Sequence, residues 1–216
     1  MSELVHFIMA QRVDINTVFL LLALPFIATL IAAFRQIVGI KSFGIYSPLV
    51  LTFAFWATEL KYGLAIFAVI LTTGTLARYL LKKVRLLYIP RMAIVLTLIS
   101  IAVLALITVG GHFRRYGLSS TSILPILIMI VLIERFISVQ AEKGFRTAAV
   151  LSLETLAMSV AGFFVLHWKA FQWFVLEYPY YVIGLLIIDV FLGKWSGLRL
   201  SEYYRFRNVI KHVDSD

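Results

Sequence analysis

Glu154 is the deepest ionisable residue of this 216-residue chain, eight positions past Arg146 and about 12 Å further along a helix. A charge at mid-helix in a bilayer costs roughly 2.5 to 3.5 kcal/mol on insertion scales, so such a group faces a protein interior or a water-filled path. Two chemistries suit it: lining a route for an ion or polar substrate, or a structural hydrogen bond to a neighbouring helix. Arg78, Glu134, Arg135 and Asp189 fall near the ends of other apolar stretches. They form either one charged cluster or separate interfacial residues whose heads reach the lipid headgroups. Glu134 and Arg135 are adjacent, so on a helix they point apart and seek partners on other helices.

Other reactive residues offer less. There is no cysteine, which removes thiolate nucleophiles, disulfides and Cys-ligated metals. His6, His112, His167 and His212 show no H-x-x-x-H spacing, and the chain has no G-x-S-x-G elbow. His112, His167 and Glu177 are a metal or acid-base candidate at one membrane surface, against the plainer reading as interfacial polar residues. No catalytic residue, cofactor or metal is expected, and the chain reads as a non-enzyme.

The elements that must position these residues are membrane helices. Hydrophobic residues make up 62% of the chain and charged residues 14%, with mean hydropathy +0.96, far from the roughly 25% charged of a soluble domain. Twenty uncharged residues separate Asp14 from Arg35 and twenty separate Arg91 from His112, each enough to cross a hydrocarbon core of about 30 Å. Further stretches run over Ser42–Thr58, Tyr62–Ala77, Gly117–Ile133, Thr147–Trp168 and Ala170–Gly193. The expected fold is therefore an all-α integral membrane protein of seven helices over residues 15–193, with a short segment 1–14 before it and a tail 194–216 after it. Glu3, Asp14 and the short run Val5–Ala10 do not make a cleavable signal, so helix 1 is expected to remain.

Helices 2 and 3 are short, with 17 and 16 uncharged residues. A re-entrant pair is the alternative to two crossings, but it would hold Glu59 and Lys61 at membrane depth, so full crossings are expected.

Orientation follows from the cytoplasmic bias of Lys and Arg in short loops. With the N-terminus outside, fifteen of the twenty basic residues fall on the cytoplasmic side, leaving Arg12, Lys61, Arg114, Arg115 and Lys169 outside. The net charge of +9 is thus an orientation signal. Basic residues flank apolar spans and form no groove with stacking aromatics, so no nucleic-acid partner is expected. The lipid bilayer is the first partner.

A faint repeat pairs helices 2–4 with helices 5–7. Ser47 to Val50 match Ile123 to Ile126 as Pro-opened helix starts through Pro48 and Pro125; Lys61, Tyr62 and Gly63 match Glu142, Lys143 and Gly144; Thr75, Leu76 and Ala77 return as Thr155, Leu156 and Ala157. Pro90 and Pro179 precede the third helices. Three spans separate the copies, which inverts the second, as in many transporters. The competing explanation is coincidence with ordinary first-turn prolines. In the tail, Leu200, Tyr203, Phe206, Ile210 and Val213 recur at helical spacing beside Arg205, Arg207 and Lys211. An amphipathic helix on the inner leaflet, or one docking a cytoplasmic partner, fits this pattern.

Taken together, Gly39–Phe55, YIPR at Tyr88–Arg91, Pro125–Phe136, AEKG at Ala141–Gly144 and the tail Leu192–Arg207 resemble a bacterial seven-helix family usually found fused to an inactive transglutaminase-like domain. The Pro-opened helix followed by Gly is more distantly similar to the small membrane subunit of poly-γ-glutamate synthases. The resemblance implies a bacterial cytoplasmic membrane protein associated with ATP-grasp ligases and envelope peptide metabolism, and it supplies no catalytic residue. A chain of this length has no room for the transglutaminase-like domain, which a separate protein is expected to provide. The resemblance carries over Gly44, Pro48, Gly63, Pro90, Arg91, Pro125, Glu134, Arg135, Gly144, Gly197, Arg199, Glu202 and Arg205. Of these, Gly44, Pro48, Gly63, Pro125 and Gly144 suit helix breaks or close packing, while Arg91, Arg199, Glu202, Arg205 and Arg207 suit partner or lipid docking. The expected role is an anchor or partner of a peptide- or polyglutamate-forming ligase; the alternative is an exporter of acidic peptides through an inverted-repeat bundle.

Overall fold

The computed structural model describes residues 13–84, 87–112 and 123–194, with side chains of 111 and 112 excepted. Every regular element among them is helical. In chain order these are α1 (Ile15–Ala33) with a terminal π turn (Phe34–Val38), α2 (Tyr46–Thr58), α3 (Leu60–Leu81), α4 (Tyr88–His112), α5 (Ile123–Lys143), α6 (Phe145–His167), α7 (Lys169–Glu177) and α8 (Tyr181–Lys194).

Among the described residues, five helices are long and apolar enough to cross a membrane: Ile15–Val38, Leu60–Leu81, Tyr88–Gly110, Ile123–Lys143 and Phe145–His167. Each of the seven expected stretches has a helical counterpart, but three differ in extent. The stretch Ala170–Gly193 is not one straight helix: α7 and α8 are bent by 105°, the geometry of a broken span or a re-entrant loop. Pro179 explains the break, since its ring drives the preceding residue out of the helical region, and Tyr178 sits at φ −122°, ψ +61°. Counted together, the pair would make a sixth span. Helix 2 begins only at Tyr46 and has 13 residues, about 20 Å of rise, because a loop with Gly44 at φ +96° precedes it. Helix 5 runs on to Lys143, ten residues beyond the expected end at Ile133. Glu134 and Arg135 therefore lie inside a continuous helix, and the charges mark no helix end.

The breaks are local. Pro48, Pro90 and Pro125 each occupy the third helical position of α2, α4 and α5, where no N–H is needed for an intrahelical bond. Between α5 and α6 a single residue, Gly144, turns the chain at φ +85°. Glu59 does the same between α2 and α3 at φ +59°, ψ +147°, a region that is essentially glycine's own.

The chain divides into two compact units, residues 1–49 with 164–216, and residues 50–163. In the first, Val18, Phe19, Ala23, Ile27 and Ile31 form the buried face of α1 at steps of mostly four residues. Phe171 of α7 packs on Phe26 with centroids 4.7 Å apart and edge-on to Phe19 at 6.4 Å. Pro25 inside α1 has no N–H for the carbonyl one turn back, which opens the helix there. In that opened turn the Tyr181 hydroxyl donates to the Leu22 carbonyl at 2.6 Å. The carbonyl that Pro25 leaves without a donor is that of Leu21, one residue away, so this bond gives the half-buried Tyr181 hydroxyl an acceptor that lipid does not offer.

In the second unit α3 is the hub. Gly63, Ile66, Ile70, Gly74 and Ala77 line its buried face. At Gly74 an added Cβ would meet Ile133 Cγ1 of α5 at 2.8 Å and Ile99 Cδ1 of α4 at 3.5 Å. At Gly63 it would meet Thr58 Oγ1 at 2.5 Å and Phe55 Cδ1 at 2.6 Å. Lipid offers no hydrophobic drive between helices, so close backbone approach through small residues supplies the contact. Helix α6 uses the same device against α2: its buried Ala148, Ser152, Thr155 and Ser159 lie on one face, and a Cβ at Gly162 would meet Thr52 Oγ1 at 2.7 Å. The opposite faces carry exposed apolar residues such as Ile101 and Leu104 of α4. Lipid, not water, covers such faces.

Candidate functional site

The embedded charges are distributed over both units. In the first, α8 carries Asp189. Its Oδ2 lies 3.1 Å from Thr29 Oγ1 of α1, and the same hydroxyl is 3.0 Å from the Pro25 carbonyl. Thr29 is buried, so the pair joins two helices where water is scarce. Asp189 follows Tyr181 by eight residues and Thr29 follows Leu22 by seven, so the two polar contacts occur in the same order along both helices. α1 and α8 therefore run in the same direction.

In the second unit the Tyr88 hydroxyl at the start of α4 donates to Glu134 Oε1 on α5 at 3.2 Å. Arg78, in the last turn of α3, lies within Coulombic range of Arg91 in the first turn of α4. The ends of α3, α4 and the middle of α5 thus bring Arg78, Arg91, Tyr88 and Glu134 to one region of the unit. Arg135 is exposed on α5. Glu154 sits near the middle of α6, half-buried and engaged by a neighbour.

Beside Glu154 runs a line of hydroxyls that the sequence reading did not single out. Thr52 Oγ1 of α2 donates to the Ser159 carbonyl of α6 at 3.3 Å. Ser159 and Thr155 bond the carbonyls one turn back, at 2.8 Å to Thr155 and 2.7 Å to Leu151. The signal available was the spacing of Ser152, Thr155 and Ser159 at steps of three and four. It places one polar stripe on an otherwise apolar helix.

The proposed helix-break positions sort by cause. Gly44 and Gly144 have nothing within 4 Å of an added Cβ and positive φ, whereas Gly63 has ordinary helical backbone and no space. Pro48 and Pro125 open their helices. Arg199, Glu202, Arg205 and Arg207, with the expected tail helix and residues 1–12, lie outside the described residues. So does the side chain of His112. His167 and Glu177 both engage neighbours, and among the described residues no group of three or more His, Cys, Asp or Glu is placed to hold a metal.

No curated protein and no solved structure matches the chain. A family model does, over residues 2–210, described as seven transmembrane helices usually fused to an inactive transglutaminase. That match spans nearly the whole chain and agrees with its apolar helices, so the protein is an integral membrane protein belonging to this seven-helix transglutaminase-associated family.

Proposed function

We propose that the protein is a non-enzymatic membrane module, anchoring or partnering a peptide- or polyglutamate-forming ATP-grasp ligase at the bacterial cytoplasmic membrane, with a transglutaminase-like protein as a further partner. The observation that carries this reading is the family match over residues 2–210, since helices usually fused to an inactive enzyme domain act as its platform. The N-terminus faces outward and the tail inward on this reading. The direction is supported by the cation count, fifteen of twenty on the inner side, and the parallel α1 and α8 support opposite faces for the start of the first and the end of the second. Co-purification tests the docking role: Arg199→Ala with Arg205→Ala is expected to abolish recruitment of a ligase encoded beside the gene. Full recruitment by the double variant would contradict it.

A second reading, transport of acidic peptides between two inverted repeats, is favoured by one pattern. Pro48 and Pro125 open α2 and α5 at the same helical position, and a single residue of positive φ ends each helix, Glu59 and Gly144. Glu154 beside the hydroxyl stripe would then line the path. Proteoliposomes loaded with labelled oligoglutamate decide between them: transport predicts flux that Glu154→Gln abolishes, and the anchor reading predicts no flux from the wild type.

A further inference from the structure

Between α3 and α6, within the second unit, lies a cavity of about 410 Å³. Leu64, Phe67 and Leu71 form one wall and Ala149, Leu153 and Leu156 the other. Both walls belong to helices long and apolar enough to cross the membrane. The volume is that of a ligand pocket, roughly 300 to 1,000 Å³.

Two hydroxyl-bearing residues line the cavity, Thr72 and Ser152. Thr72 Oγ1 already serves the carbonyls of Ala68 at 2.8 Å and Val69 at 3.1 Å. Ser152 differs. It is 5% exposed, and its buried Oγ has no hydrogen-bond partner. Its neighbours on the stripe, Thr155 and Ser159, both bond to their own helix. A buried hydroxyl left unpaired is costly, and the cost disappears when a ligand brings the missing acceptor.

Water is a poor occupant. A held water needs two to four polar partners, and this wall offers one unengaged group for a volume of many waters. Ordinary phospholipid also fits badly. Ser152 lies seven residues into α6, about 10 Å along it, below the level of the polar headgroup region. The bulk tails at that depth carry no acceptor.

We infer that the cavity between α3 and α6 is a binding site for a membrane-soluble apolar chain that carries a single carbonyl-type acceptor within its length, which Ser152 recognises. The apolar walls take the chain, and the hydroxyl fixes its register by donating to the carbonyl oxygen. This site does not depend on the ligase or transport reading, only on the chain's residence in the membrane.

The test uses the full chain in phosphatidylethanolamine and phosphatidylglycerol vesicles with two diazirine probes, a long-chain ketone and the matching plain hydrocarbon. Cross-links are mapped by peptide mass spectrometry. The wild type is expected to label within residues 64–72 and 149–156 and to favour the ketone about threefold to tenfold, the range one intramembrane hydrogen bond gives. Ser152→Ala should keep the label and lose the preference, and Ala149→Phe, which fills the cavity, should lose both while its melting midpoint confirms folding. Equal labelling by both probes in the wild type, or labelling no stronger than at Ile101 and Leu104, would show annular lipid only and overturn the site. A cross-link captured by a second protein's helix at these residues would overturn it as well.

Discussion

Thr29 on α1 and Asp189 on α8 are joined at 3.1 Å although 160 residues separate them, and the second contact of the same helices, Tyr181 to the Leu22 carbonyl at 2.6 Å, fixes their relative direction. An apolar helix pair in lipid has little to define its register. Two polar contacts about 10 to 12 Å apart along the helices supply it.

Removing either contact should loosen this pair. Thr29→Val and Tyr181→Phe are each expected to cost about 1 kcal/mol, the scale of an interhelical hydrogen bond in a membrane. Asp189→Asn keeps an oxygen acceptor and should cost less. Unfolding in detergent micelles, with a double-mutant cycle of Thr29→Val and Asp189→Leu, which removes the acceptor, to isolate the pairwise energy, checks this. A coupling energy indistinguishable from zero would mean the pair carries no stability.

Glycines should separate into two classes by how they can be rescued. Gly162→Ala drives a methyl into Thr52 and should destabilise by about 1 to 3 kcal/mol, with much of the loss regained when Thr52→Ala is added. Gly144→Ala meets no atom within 4 Å but must hold φ +85°, so no neighbouring truncation should help it. Gly184→Ala in α8 has open space and helical backbone, and it should be neutral or slightly stabilising. Melting midpoints of these four proteins are the measurement.

Glu59 should respond in the opposite sense. A non-glycine residue at φ +59°, ψ +147° stores about 1 to 3 kcal/mol of strain. Glu59→Gly is expected to raise stability by roughly 1 kcal/mol after glycine's own entropy cost. Glu59→Val, β-branched and stiffer, should lower it. A Gly variant less stable than the wild type would assign the Glu59 side chain a stabilising role that its backbone conformation does not suggest.

Much of this architecture was legible because charge and apolarity set different boundaries. The charge-free runs between Asp14 and Arg35, and between Arg91 and His112, announce α1 and α4 directly. Glu134 and Arg135 mislead for a physical reason: charge marks where hydrocarbon should end, but a helix has no need to stop there, and α5 continues to Lys143. Pro179 was visible as a helix opener, yet the apolar run on both sides hid the 105° bend that it imposes. The contacts of Thr29 with Asp189 and of Thr52 with α6 were not legible at all, since they join residues 160 and 107 positions apart. Only the hydroxyl spacing of Ser152, Thr155 and Ser159 hinted at the second of them.

In the proposed orientation α1 and α8 run in the same direction and deliver their C-terminal ends to the cytoplasm. The chain contains no cysteine, so single cysteines introduced at Asp14 and at Lys194 can be probed with a membrane-impermeant maleimide on intact spheroplasts and on inverted vesicles. Asp14→Cys should label only from outside and Lys194→Cys only from the cytoplasmic side. Labelling of both positions from one side would contradict it.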